Sequence, residues 1–277
     1  MQKSFKEPKP TLYVVSTPIG NLKDITYRAV DVLNDVDVIL AEDTRTSGVL
    51  LAHYNIKKPL LSYHDFNKTE QESKIIGMLN EGKSLALISD AGTPGISDPG
   101  YEIMTRVIRE GYYVVAIPGA SAILSALVTS GLIIQPFTFI GFLPRKITEQ
   151  KTCLKDYQNR KETLIIYESP MRIEKTLSVL YETLGNRKIS LARELTKTFE
   201  TIIRTTLEEA SKEEMNTKGE YVIVIEGRSE HDLPMLDVKS HYLALIQEGY
   251  PPKDAMKIVS TKHKIPKNDV YRIVKID

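Results

Sequence analysis

Residues 87–100 read Leu87-Ile-Ser-Asp-Ala-Gly-Thr-Pro-Gly-Ile-Ser-Asp-Pro-Gly100, and they hold three glycines and two prolines directly behind an apolar run at 84–88. The apolar run predicts a β-strand. Asp98-Pro99 predicts a helix start, because aspartate accepts from the first N–H groups and proline tolerates the first helical position. The residues between then form a tight loop at the carboxyl end of a strand, where open α/β sheets bind ligands. Taken alone, the stretch is more typical of a capped strand-to-helix turn than of a ligand site.

Two further tight turns follow strand-like runs, at 16–22 (STPIGNL) and at 117–122 (IPGASA). If their strands are parallel, all three turns converge on one edge of one sheet. They offer backbone groups, small side chains and one acid, Asp90, with almost no Lys or Arg. Phosphate sites normally need positive charge. A nucleoside that carries an ammonium group suits these turns better, and S-adenosyl-L-methionine fits that description.

The order of the apolar runs predicts an α/β fold with two lobes and a helical tail. Strand-like and helix-like runs alternate from Thr11 to about residue 120, which is typical of a largely parallel sheet covered by helices. Residues 121–228 contain consecutive strands without long helices between them, which favours antiparallel pairing. Residues 229–277 are short and helical, and resemble a helix-turn-helix. Thr69 to Glu72 fits a capping box, and helices are predicted at about 99–110 and 147–160.

The composition excludes several classes of protein. The chain has 277 residues, of which 42% are hydrophobic and 26% charged, as in ordinary soluble globular proteins. No apolar run approaches the roughly 20 residues of a membrane span, and the N-terminus lacks the apolar core of a signal peptide, so we expect a cytoplasmic protein without membrane association. One cysteine and five histidines without HExxH spacing offer no metal site. No G-x-G-x-x-G or Walker A pattern occurs.

Charge is unevenly distributed along the chain. The formal net charge is +1, so no general basic field indicates a nucleic-acid partner, and DNA is not expected as one. Residues 253–275 nevertheless contain seven Lys or Arg against two Asp. Such a run is usually a solvated face, and here it is no more than a hint of nucleic-acid binding.

Motifs along nearly the whole chain resemble one family. They are TPIGNLKDIT (17–26), AEDTRTSGVLL (41–51), DAGTPGISDPG (90–100), PGASA (118–122), FIGFLPRK (139–146), YESPMRI (167–173), ARELTKTFE (192–200) and KGEYVIVIEG (218–227). In this order they are similar to the ribosomal small subunit methyltransferase I family, the 16S rRNA (cytidine-1402) 2'-O-methyltransferases. That family belongs to the tetrapyrrole methylase superfamily, whose two α/β lobes hold S-adenosyl-L-methionine between them.

The resemblance implies a cofactor site, a substrate and an assembly. The residues that it places against S-adenosyl-L-methionine are Pro18, Gly20, Asp90, Ala91, Gly92, Thr93, Ile96, Ser97, Ala120, Ser121, Ala122, Tyr167, Ala192 and Arg193. It implies 16S rRNA or the small ribosomal subunit as substrate, and a homodimer. The tetrapyrrole enzymes carry a GxGxGD-type first loop where this chain has TPIGNLKD, and this departure favours RNA over a porphyrinoid. The C-terminal helices match an extension of the rRNA branch.

For the residues that contact the acceptor RNA, the sequence leaves several alternatives. A base that accepts the proton of the ribose hydroxyl would assist transfer, and Glu42, Asp43 and His64 are the candidates. Candidate phosphate contacts are Arg45, Lys146, Arg172 and Lys197, and candidate rings for an unstacked base are Tyr63, Phe66 and Phe142. Most of these residues have a structural alternative. Residues 42–45 would form a helix cap with an ion pair, His64 would be a structural histidine, Arg172 would pair with Glu168, and the three rings would occupy the core.

Three functional classes compete. An rRNA 2'-O-methyltransferase accounts for the turns, the motifs and the tail. A small-molecule tetrapyrrole methylase of the precorrin or uroporphyrinogen type accounts for the turns, but for neither the altered first loop nor the basic tail. A helix-turn-helix regulator with residues 1–227 as a sensor accounts only for the tail.

Overall fold

The computed structural model describes residues 2–4, 9–64, 68–229, 238–263 and 265–275. They form two compact units, Met1–Gly227 and Arg228–Asp277. The first unit contains two five-stranded sheets.

The first sheet is parallel throughout, as predicted, and has the strand order β3-β2-β4-β1-β5. Its elements are β1 (Thr11–Val15), α1 (Tyr27–Asp35), β2 (Val38–Ala41), α2 (Thr44–His53), β3 (Leu60–Ser62), α3 (Lys68–Asn80), β4 (Leu85–Ile88), α4 (Tyr101–Arg109), β5 (Tyr113–Ile117) and α5 (Ala122–Thr129). Since β4, β1 and β5 are neighbours, the three tight turns leave the sheet side by side.

Helices cover both faces of this sheet. Side chains alternate along a strand, so Leu12 and Val15 of β1 enter different apolar clusters. One cluster includes Leu33 of α1 and the other Leu79 of α3, and all four residues are fully buried. Burial on both faces explains why these strands are continuously apolar.

The second sheet is mixed, with the order β6-β7-β10-β8-β9. Its elements are β6 (Phe137–Phe142), α6 (Ile147–Lys155), β7 (Thr163–Glu168), α7 (Ile173–Leu184), β8 (Lys188–Arg193), β9 (Thr201–Thr206), α8 (Leu207–Ala210) and β10 (Tyr221–Ile225). Only β6 and β7 are parallel, and the other three pairs are antiparallel, which confirms the expectation from consecutive strands.

Helix α5 joins the two sheets. It begins at the turn after β5, yet its buried Ala126 and Leu127 pack with Ile165, Val222 and Val224 of the second sheet. The third turn is therefore held between the two lobes.

Three predicted helix ends were wrong. Helix α4 begins at Tyr101 with Gly100 as its N-cap, so Asp98 and Pro99 belong to the loop. Gly100 has φ +153°, which glycine adopts without the penalty that a Cβ brings, and the chain enters the helix there. The capping box at 69–72 correctly places a helix before Gly82, but Thr69 lies one residue inside this helix, α3, and does not start it. Helix α6 ends at Lys155, short of residue 160.

The C-terminal unit is helical, as predicted. It consists of α9 (Val238–Gln247), α10 (Pro252–His263) and α11 (Lys267–Lys275), packed around Leu245, Ala255, Val259 and Val270. Within the described ranges, none of the helices of either unit has the length and apolarity needed to cross a membrane.

Candidate functional site

The turns after β1 and β4 are bonded to each other. The amide of Thr17 donates to the carbonyl of Gly92 at 2.8 Å, and the amide of Gly92 donates to that of Thr17 at 3.1 Å. The Thr17 hydroxyl also donates to the carbonyl of Ser89 at 3.1 Å. Gly92 has φ +80°, a left-handed conformation that favours glycine, so the glycine in this turn is a backbone requirement.

The turn after β5 lies against the first turn. A Cβ on Gly119 would stand 2.9 Å from Cβ of Ser16, which leaves no room for a side chain. Ser16 also contacts the β4 turn through its hydroxyl, 2.8 Å from that of Thr93. The predicted convergence of the three turns at one sheet edge is thereby confirmed.

A cavity of about 520 Å³ opens at this edge, between the turns and the second sheet. Ile19, Ile96 and Ala122 line it from the first lobe, and Tyr167 and Val222 line it from the second. Its volume lies in the usual range for small-molecule sites. Backbone groups, apolar walls and both lobes thus meet around one space.

Carboxylates dominate the charge of this cavity. Five acidic residues line it, namely Glu42, Asp90, Asp98, Glu168 and Glu220, together with one cation, Lys197. Burial raises the pKa of Asp98, and the nearby charge of Asp90 adds to the rise against a hydrogen bond from Ser89. Burial also raises the pKa of Asp90. Because burial disfavours the ionised form of these carboxylates, a positively charged ligand would stabilise them. The cavity therefore favours a cationic ligand and disfavours a phosphate.

Tyr167 forms part of the opposite wall. Burial and the charge of Asp98 raise the pKa of its hydroxyl to about 12, so the group stays protonated at neutral pH. Its ring meets those of Phe139 and Phe142 edge to face, with centroids 4.8 and 5.6 Å apart. These contacts fix the orientation of the ring.

Ten of the fourteen proposed cofactor residues line this cavity: Asp90, Ala91, Gly92, Thr93, Ile96, Ser97, Ser121, Ala122, Tyr167 and Ala192. Pro18 and Gly20 line an adjoining cavity of about 460 Å³. Ala120 and Arg193 line neither cavity. Asp98 lines the first cavity without having been proposed, because an Asp-Pro pair before a helix is the local signal of a cap. Glu220, at the start of the segment after Gly219 that was expected to close over the cofactor, lines it as well.

The adjoining cavity shares a wall with the first. Ile19, Asp90, Ala91, Lys197 and Glu220 border both cavities. The wall is therefore built from the first two turns and from two charged residues of the second lobe.

The three candidate bases lie in different settings. Glu42 lines the first cavity. Asp43 is the N-cap of α2, and hydrogen bonds from the side chain and amide of Arg45 lower its pKa to about 2. His64 follows β3, the edge strand of the sheet, and lines neither cavity. Asp43 and Arg45 therefore form a helix cap with an ion pair, which was the structural alternative to a catalytic role for residues 42–45.

The four proposed phosphate contacts are also dispersed. Arg45 is 90% exposed, and Lys146 pairs with Glu149 at 3.0 Å. Arg172 donates to the carbonyls of Leu143 and Pro144, each at 2.9 Å, and its guanidinium lies 3.4 Å from the buried carboxylate of Glu168. This geometry matches the structural alternative for Arg172.

Of the two proposed rings that the structure describes, Phe142 is the one available to a base. It is 56% exposed and lines the cavity, whereas Tyr63 is 1% exposed and belongs to the core. Tyr63 therefore occupies the core position that was its structural alternative, because the residue after β3 packs inward. Phe66 lies outside the described residues.

Lys197 connects the lobes at the wall between the cavities. Its ammonium lies 2.8 Å from Glu194 and 3.1 Å from Glu220. Although burial opposes the rise, the hydrogen bonds to these carboxylates raise its pKa. Its alkyl chain covers Gly20, where a Cβ would stand 2.5 Å from Cγ of Lys197.

We expect Gly20→Ala to lower the free energy of unfolding by about 1–2 kcal/mol, since φ is +148° and the new methyl overlaps Lys197. Adding Lys197→Ala removes the overlap but leaves the backbone strain. A double-mutant cycle by urea unfolding should therefore show a favourable coupling of about 0.5–1 kcal/mol. Strict additivity of the two changes would contradict this contact.

Among the residues that the structure describes, no group of three or more His, Cys, Asp or Glu could hold a metal ion.

Known proteins resemble this chain along most of its length. The sequence profile of the family described as tetrapyrrole (corrin/porphyrin) methylases matches residues 11–211. A protein of Halalkalibacterium halodurans named ribosomal RNA small subunit methyltransferase I is 45% identical, over 98% of both chains. Proteins of the same name from Bacillus subtilis and Haemophilus influenzae are 44% and 45% identical, over 98% and 94% of this chain and 96% and 95% of theirs.

Solved structures share the fold at low identity. Diphthine synthase superposes with a TM-score of 0.63 at 16% identity, over 78% of this chain and 90% of its own. The uroporphyrin III C-methyltransferase of Thermus thermophilus superposes with a TM-score of 0.55 at 18% identity, over 77% of this chain and 96% of its own. From the profile, the relatives and the shared fold, the chain belongs to the tetrapyrrole methylase family and, within it, to the ribosomal RNA small subunit methyltransferase I group.

Proposed function

We propose that this protein transfers a methyl group from S-adenosyl-L-methionine to the ribose 2'-hydroxyl of a cytidine in 16S rRNA, cytidine-1402. The observation that carries the proposal is the match, over 98% of the chain, to relatives named ribosomal RNA small subunit methyltransferase I. The acidic cavity supports it independently. The place of action would be the cytoplasm, where ribosomal RNA is found.

The residues of the first cavity fit S-adenosyl-L-methionine. Asp90 and Asp98 supply negative charge for a ligand that carries an ammonium and a sulfonium. Ile19, Ala122 and Val222 supply apolar walls for an adenine ring. A single lysine, itself neutralised by two carboxylates, would suit a nucleotide phosphate poorly. When bound, the cofactor supplies an electrophilic methyl group.

The protein's own contribution is to position the acceptor and accept a proton. The adjoining cavity, beyond Ile19 and Asp90, offers room for a ribose next to the cofactor site. Holding the acceptor oxygen there replaces a bimolecular encounter and supplies much of the acceleration. Glu42 lines the first cavity, and its carboxylate accepts from the amide of Asp90, a residue that borders both cavities. From this position it is the candidate base that would take the hydroxyl proton as the bond forms.

The test is transfer of labelled methyl from S-adenosyl-L-methionine to protein-free 16S rRNA and to small ribosomal subunits, followed by mass spectrometry of the nucleosides. We expect one ribose-methylated cytidine. Uroporphyrinogen and a precorrin serve as competing acceptors. Labelling of either, with none in RNA, would overturn the proposal in favour of a small-molecule methylase.

Replacing Asp98 by asparagine should weaken cofactor binding about tenfold, because one charged hydrogen-bond acceptor for a cation is lost. Cation binding favours the ionised carboxylate, so wild-type affinity should fall as the pH drops through the pKa of Asp98. Since burial raises that pKa, the fall should begin at a higher pH than an ordinary aspartate gives. Calorimetric titration across pH measures both effects.

Asp98→Asn should lose part of the pH dependence of cofactor affinity. The part that remains comes from protonation of Asp90. Asp31→Asn, at an exposed position on α1, is the matched control and should leave affinity and pH profile unchanged. Equal affinities for Asp98→Asn and wild type would remove Asp98 from the cofactor site.

We also propose that the protein is a homodimer. Leu124 and Val128 lie four residues apart on the outward face of α5, 53% and 62% exposed, and Ile133 and Ile134 follow at 67% and 45%. Exposed apolar residues grouped in this way are typical of an interface. We expect light scattering to give the mass of two chains, and Leu124→Asp with Val128→Asp to shift it towards one. A monomeric wild-type protein would contradict the proposal.

A further inference from the structure

The first cavity, where we place the cofactor, and the C-terminal helices carry opposite charge. Five carboxylates and one lysine line the first cavity. Residues 253–275, by contrast, hold seven Lys or Arg against two Asp, in a chain whose net charge is only +1. The rest of the chain is therefore net negative. An acidic cleft repels a phosphate backbone, so the affinity for a polyanion has to arise elsewhere on the protein.

The basic residues of these helices face outward. On α10, Ala255 and Val259 are fully buried, while Lys253 and Lys257, one turn apart, are exposed. On α11, Val270 is buried, while Lys267 and Lys275 are exposed. Each helix thus buries small apolar residues in the core of the unit while its lysines stay exposed to solvent.

An aromatic ring is interleaved with the lysines of α11. Tyr271 lies one turn after Lys267 and one turn before Lys275, and it is 47% exposed. The ammonium of Lys275 stands 4.9 Å from the centroid of its ring. Exposed aromatic rings beside cations are the usual means of holding unpaired bases together with their phosphates.

Few carboxylates offset this charge within the two helices. Asp254 is exposed at the start of α10, and Asp269 lies 3.8 Å from Arg272 on α11. At that distance, with both side chains about half exposed or more, the pair contributes little.

We propose that the outward faces of α10 and α11, defined by Lys253, Lys257, Lys267, Tyr271 and Lys275, form an RNA-docking surface. The proposal rests on the proposed function, because that function supplies the polyanionic substrate. Lysines at phosphates release counterions and supply affinity without sequence preference, while Tyr271 stacks on an unpaired base. The two cavities of the first unit then select the target nucleotide, and helices α10 and α11 supply the affinity for RNA.

The experiment uses the full chain with Lys253→Gln, Lys257→Gln, Lys267→Gln and Lys275→Gln combined. Its matched control removes four exposed lysines of the first unit: Lys57→Gln, Lys155→Gln, Lys161→Gln and Lys175→Gln. Filter binding to a protein-free 16S rRNA fragment, across a salt series, is measured for both. We expect the tail variant to bind about tenfold more weakly, with a salt slope shallower by about 3. Cofactor affinity should match wild type.

The outcomes separate this proposal from the one on which it rests. If the tail variant binds RNA as the control does, the docking surface is overturned while methyl transfer stands. If wild type labels no RNA, the proposed function fails whatever the variants do. Weaker binding to duplex DNA with RNA binding unchanged would indicate a DNA-binding helix-turn-helix instead. Weakening towards small subunits, but not towards protein-free RNA, would indicate a ribosomal protein as partner. Either result overturns RNA docking.

Discussion

Replacing Arg187 by leucine should lower the free energy of unfolding by about 3 kcal/mol, because the change leaves buried carbonyls without their donor. Arg187 is 2% exposed, in the connection between α7 and β8. Its guanidinium donates to the carbonyls of Gln158 at 2.6 Å, Leu184 at 3.2 Å and Glu226 at 3.3 Å. These carbonyls lie in three segments far apart in sequence, and the guanidinium ties them together at one end of the second sheet.

Arg160→Leu provides the matched control. Arg160 is 59% exposed and lies 3.9 Å from Glu162, so its loss should cost less than about 1 kcal/mol. Urea unfolding followed by tyrosine fluorescence measures both variants, because the chain has 14 tyrosines and no tryptophan. Similar losses for the two variants would show that the buried guanidinium stabilises the fold no more than a surface arginine does.

The first lobe could be predicted well from the sequence, because its signals are local. Strands β1, β4 and β5 are short apolar runs bounded by Gly and Pro, and each leads into a turn and then a helix. Parallel pairing follows from that alternation. Once the strands are parallel, the three turns must leave the same edge of the sheet. The Thr17–Gly92 bonds show how closely two of them meet.

Other features depend on contacts that no local pattern records. Asp98 follows the pattern of a helix cap, and only the φ of +153° at Gly100 delays the helix and leaves the carboxylate in the cavity. Arg187 looks like a surface arginine in sequence, because two of its three acceptors, the carbonyls of Gln158 and Glu226, come from distant segments. Tyr63 likewise follows an edge strand but packs inward. Such positions are fixed by tertiary packing, which a single sequence does not display.

The sequence left three alternatives for the base, and the geometry favours Glu42, which lines the first cavity. We expect Glu42→Gln to lower the turnover number for methyl transfer about 100-fold, the lower end of the usual contribution of a general base. Glutamine keeps the size of the side chain and its hydrogen-bonding oxygen but cannot accept the proton. Cofactor affinity, measured by calorimetry, should fall by about tenfold at most, as for Asp98→Asn, so turnover measured at saturating cofactor separates the lost base from weaker binding.

Asp43→Asn is the control that makes this result specific to one carboxylate. Arg45 donates from Nη2 to Asp43 at 2.7 Å and from its amide at 2.8 Å, and a carboxylate whose pKa is about 2 is a weak base at neutral pH. Asparagine also caps helices well, so α2 should keep its N-terminus. We therefore expect Asp43→Asn to retain most of its turnover while Glu42→Gln does not. The reverse order would assign the proton to Asp43, and equal, near-wild-type rates would mean that positioning alone drives the transfer.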